Sequence, residues 1–239
     1  MTRNTWRRSD DQLAVDLDTG SGRRSAILVL AMLTMLTVLG TATPAIGAPA
    51  GRSTAPVITI PPPVPPALVG SSTLVRTDHG ISVTLETSQL QPDHVVTLWW
   101  IVANAPEECE AGLPGLSRCG PADHLAGRGA MSVHHAAGRV AGVGGSARYG
   151  AHLRVGDPTT ALFEGDPGLT DARGAEVILI LKSHGPRIPT MTADMLRTFA
   201  GGCVEEEFPP GLTPRPDVLG TPGPNEACAE IQVSVHNPA

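Results

Sequence analysis

The sequence predicts an all-β protein, an immunoglobulin-like or Greek-key β-sandwich of about seven strands with one short helix and two disulfides. Three observations carry this expectation. Short apolar runs recur about every eight to twelve residues between turn signals, several of these runs alternate apolar and polar residues with a period of two, and all four cysteines lie beyond residue 100.

The elements follow in chain order. Arg23 and Arg24 precede an apolar run, Ala26 to Gly40, and small residues follow at Ala45 to Ala50. This is the pattern of a secretory signal peptide, so residues 1–50 are expected to be a cleaved signal or, if uncleaved, an N-terminal membrane anchor. Residues 51–70 contain Pro56, Pro61, Pro62, Pro63, Pro65 and Pro66 and read as a stiff linker. Residues 71–239 are expected to form a single β-sandwich domain.

Within that domain, Ile81, Val83 and Leu85 alternate with Ser82, Thr84 and Glu86, which predicts a strand with one wet face. Gln91 to His94 is a turn. Val95 to Val102 (VVTLWWIV) is apolar on both sides and predicts a central strand; Trp99 and Trp100 then face opposite ways and belong to the core. Gly144-Gly145 signals a hairpin, followed by a strand from Ala147 to Arg154. Val177 to Leu181 is a second wholly apolar strand. Thr192 is placed to cap a short helix carrying Met195, Leu196 and Phe199, with Gly201 to end it. Ile231, Val233 and Val235 alternate with Gln232, Ser234 and His236 in a last strand, with His236 on its polar side.

Composition excludes several functions. The chain is 17% charged and 3% aromatic, and residues 51–239 hold twelve basic against nineteen acidic side chains, a net charge of −7. That acidity argues against nucleic acid as a partner, and contact with a membrane is expected only through an uncleaved N-terminal segment. Cys109, Cys119, Cys203 and Cys228 allow three pairings. Loop closure favours Cys109 with Cys119 and Cys203 with Cys228, as befits an extracytoplasmic, secreted protein.

No nucleophile elbow, zinc-protease, phosphate-loop or dinucleotide motif is present, so no catalytic residue is assigned. Eight histidines supply the competing reading, a metal-binding or metal-dependent redox protein that uses copper or zinc. Its candidate ligands are His135 (or its neighbour His134), His152, His184 and His236. His184 stands out because it ends an apolar strand where a loop begins. A calcium loop is the other candidate, with Asp157, Glu164, Asp166 and Asp171 as oxygen donors.

The segments TLWWIVAN (97–104), YGAHLRVGD (149–157), GLTDARGAEV (168–177), SHGP (183–186) and FAGGC (199–203) resemble those of a group of uncharacterised secreted bacterial proteins. The His-Gly-Pro turn and leucine-rich strands are also similar, more distantly, to chordin-type extracellular β domains. The first resemblance spans most of residues 70–236 and implies a shared exported domain without bringing an activity. The resulting expectation is a secreted, non-catalytic module that binds a protein, a cell-wall polymer or a small ligand.

Overall fold

The computed structural model describes residues 49–60, 67–204, 207–226 and 228–239. The expected signal segment and the proline cluster at 61–66 lie outside the described residues. Among the described residues there are eight strands: β1 (Gly51–Thr59), β2 (Leu68–Thr77), β3 (Gly80–Thr87), β4 (His94–Ala103), β5 (Met131–Val140), β6 (Ala147–Arg154), β7 (Glu176–Pro186) and β8 (Ala229–His236). All pair antiparallel in one continuous sheet of order β5-β4-β7-β8-β1-β2-β3-β6. The edge strands β5 and β6 approach each other, so the sheet curls almost into a barrel. The protein is thus mostly β, as expected, but with eight strands in one curled sheet where about seven in two sheets were anticipated.

The curl places one side chain in two on the inside. Val57, Leu74, Ile81, Val83, Leu85, Leu98, Trp100, Tyr149, Leu179 and Leu181 meet there as the main core. A second core lies outside the sheet. Trp99, Ile178, Ile180 and Val233 point outward from β4, β7 and β8 and are covered by Leu162, Phe163 and Val218 from two long loops. Strands β4 and β7 therefore have neither face in water, which is why their sequences are apolar without alternation. Trp99 and Trp100 do face opposite ways, one into each core, and each is 1% exposed.

Four expectations need correction. Residues 51–59, read as linker, form β1, which pairs with β2 from Gly51 to Ile58 and with β8 at Ile58 and Thr59. Around Pro56 the strand has one ladder partner, an edge-like setting in which proline is tolerated. Gly144-Gly145 makes a turn, with Gly145 at φ 62°, but not a hairpin: β5 pairs with β4 and β6 with β3, so the turn joins the two edges of the sheet. The expected helix is α2 (Thr192–Met195), one of three short helices with α1 (Pro121–Leu125) and α3 (Pro216–Leu219). Thr192 does not cap it; Met191 holds the cap position, and the Thr192 hydroxyl donates back to the Ile188 carbonyl. Lastly, the polar side of β8 faces inward. Gln232, Ser234 and His236 are buried, while Val233 packs outward under the loops.

The disulfides are Cys109–Cys119 and Cys203–Cys228, the sequential pairing. Among the described residues no helix is long and apolar enough to cross a membrane.

Candidate functional site

Polar groups sealed away from water need partners within the protein, and among the described residues three of the clusters that supply them centre on histidines. Inside the barrel, His236 lies between two serines, with Ser72 Oγ 2.7 Å from Nε2 and Ser53 Oγ 2.8 Å from Nδ1. Ser72 also reaches Ser234 Oγ at 2.7 Å. Beside this cluster the Arg76 guanidinium, 1% exposed, donates to the carbonyls of Ala172, Ala175, His236 and Asn237. It pins β2 to the chain end and to the loop before β7.

The second cluster lies under the cover. The Trp99 indole N–H donates to Thr97 Oγ1 at 2.8 Å, and Thr97 Oγ1 is 2.8 Å from His184 Nε2. His184 Nδ1 faces the Gly201 carbonyl at 2.9 Å, a partner that can only accept. The proton therefore sits on Nδ1, and Nε2 accepts from threonine. His135 shares this region, its Nε2 donating to the Leu196 carbonyl and its ring edge-on to Trp99. In the third cluster His134 reaches Ser132 Oγ through Nε2 and Thr160 Oγ1 through Nδ1. Burial holds His134, His184 and His236 neutral, pushing each down to about 4; for His236 the nearby Arg76 charge acts in the same direction.

The expected ligand sets are dispersed. His236 is inside the barrel, His135 and His184 are under the cover, and His152 is exposed on β6, where it bonds Ser82. In the proposed calcium loop each aspartate serves its own neighbourhood. Asp157 accepts from Thr159, Asp166 from the Val133 amide and from His124, and Asp171 from the amides of Arg173 and Gly174, while Glu164 is exposed. Among the described residues no three His, Cys, Asp or Glu side chains converge as a metal site would require.

The cover is confined to half the sheet. On β1, β2, β3 and β6 the outward residues form three cross-strand rows: Arg52, Val75, Ser82 and His152; Thr54, Thr73, Thr84 and Gly150; Pro56, Ser71, Glu86 and Arg148. Gly150 contributes no side chain at the end of the threonine row. A groove of about 320 Å³ runs among Arg52, Thr73, Thr84 and Arg148, and a shallower depression of about 730 Å³ continues it past Ser71 to Leu68. With Arg154, this face carries three arginines and one glutamate, the latter paired to Arg148 at 3.4 Å.

Sequence reasoning missed this face although its alternation is plain in β3, because the pattern does not reveal which wet strands become neighbours. It also missed Arg76, whose only signal is a charge at an inward position of a strand. Comparison with protein-family models, curated proteins and solved structures gave no match.

Proposed function

We propose that this protein is an exported, non-catalytic module that binds an acidic cell-wall polymer through the uncovered face of β1, β2, β3 and β6. The observation that carries the reading is the division of polar groups. Histidines 134, 184 and 236 have both ring nitrogens engaged within the fold, whereas the hydroxyl rows and arginines of the open face point to solvent. A basic, hydroxyl-lined face on an otherwise acidic domain complements a polymer that bears negative charge and hydroxyl groups. The two disulfides suit a compartment outside the cytoplasm, and the likeness to secreted bacterial proteins points the same way. The finer architecture fits this role if the two halves of the sheet act as the faces of a Greek-key sandwich, one covered and one free.

Co-sedimentation of the purified protein with insoluble cell walls tests the reading. Wild type is expected to pellet at low salt and to be released at high salt, and R52E/R148E is expected to stay in solution. Equal partition of the two proteins, or no pelleting of wild type, would refute it.

A further inference from the structure

The two disulfides differ in the groups around the sulfur that would leave if the bridge were opened. In both, one cysteine is buried and the other is not: Cys119 and Cys203 are fully buried, while Cys109 and Cys228 are partly exposed residues. An external thiolate therefore reaches Cys109 or Cys228, and the electron pair must pass to Cys119 or Cys203. The leaving sulfur's environment then controls the rate, because a better-stabilised thiolate leaves faster.

These environments differ by one donor. Cys203 Sγ lies 3.7 Å from His184 Nδ1, the nitrogen shown above to carry the proton. That N–H points at the Gly201 carbonyl, which is itself 3.8 Å from Cys203 Sγ, so a small rotation brings it to a sulfur anion. Cys119 Sγ likewise has a carbonyl oxygen close by, that of Pro106 at 3.9 Å, but among the described residues it has no comparable N–H donor as a hydrogen-bond partner. Both attacked cysteines have acidic neighbours. Cys109 sits among Glu107, Glu108 and Glu110, and Cys228 has only Glu226 and Glu230 nearby in sequence.

We propose that Cys203–Cys228 is an exchange site for low-molecular-weight thiols, attacked at Cys228 with Cys203 as the leaving thiolate, and that Cys109–Cys119 is an inert staple. In the first step a thiolate RS⁻ forms a bond to Cys228 Sγ as the Cys228–Cys203 bond breaks, and the pair goes to Cys203 Sγ beside the His184 N–H. A second RS⁻ then attacks the mixed disulfide, releasing RSSR and leaving both cysteines reduced: two thiols are oxidised and one protein disulfide is reduced. His184 is a positioning residue for this exchange. Opening the bridge unties the segment bearing Phe208, Leu212 and Val218 from β8 and loosens the cover over Trp99. Both bridges have acidic neighbours, so a cationic aminothiol approaches either more readily than an anionic thiol, and a preference for Cys228 must come from the leaving sulfur.

The test treats the folded, oxidised protein with cysteamine, quenches with iodoacetamide and maps peptides by mass. The expected product carries cysteamine on Cys228 and the alkyl label on Cys203, formed about tenfold or more faster than any product at Cys109 or Cys119. Opening of Cys109–Cys119 at an equal or greater rate, or the adduct on Cys203, would overturn the proposal, and both are read on wild type. In H184L the exchange at Cys228 is expected to slow by about tenfold; an unchanged rate would remove His184 from the mechanism and overturn its assignment.

Discussion

A histidine held neutral in the folded chain is a debt to acid. His134, His184 and His236 titrate near 4 when folded and near 6.5 when unfolded. Between those values the unfolded chain binds more protons, so stability is full above about pH 6.5 and falls as pH drops toward 4, by roughly 3 kcal/mol per histidine at most. Urea unfolding at pH 7 and pH 4.5 is expected to show a clear fall in the midpoint, and a flat profile across that window would contradict the buried, neutral assignment. Residue roles were the least legible level in the sequence. His236 alternates with valines on β8, and alternation marks the side that differs, not the side that faces water. The barrel interior accepts that polar side because Ser53, Ser72 and Ser234 meet it, and those partners come from strands distant in the chain.

Among the elements, short apolar runs and turns were read correctly wherever local chemistry decides. Strands β3 and β4 are where alternation or continuous apolarity placed them, and β7 begins where expected but runs on to Pro186, so His184 lies within the strand and not at the start of a loop. Pairing is not local, which is why Gly144-Gly145 signals a hairpin in the sequence although the turn joins two edges. Prolines hid β1 for the same reason: the linker reading weighs composition, while the strand exists because β2 and β8 present ladders to it. Close packing between elements is likewise invisible in one dimension. A Cβ at Gly138 in β5 would lie 2.0 Å from the Leu196 carbonyl oxygen, in the segment just after α2. Gly138→Ala must push that segment off the sheet, with an expected loss of about 1–3 kcal/mol, whereas Gly142→Ala, with open space around its Cβ, should be nearly neutral. Thermal melts of both variants decide this; equal melting temperatures would show that the segment yields without cost.

For the whole molecule, the all-β class and both disulfides could be read from the chain, but the single curled sheet could not. Its continuity rests on β1, which joins β8 on one side and β2 on the other. A chain beginning at Gly51 is expected to fold to a cooperative, soluble product, and one beginning at Leu68 to lose cooperative unfolding, because β8 and β2 would each become open edges. Circular dichroism and melting of the two chains test this; equal cooperativity would mean that the halves hold together without β1. The same strand also sets an order in time. Synthesis makes β1 first, yet Ser53 on β1 must wait for His236, 183 residues later, and Ile58 must wait for Val233. The sheet therefore cannot be completed while the ribosome still holds β8. Until then the nascent chain carries β1 with one side unclaimed, and that interval is the period when the chain most needs protection from other chains.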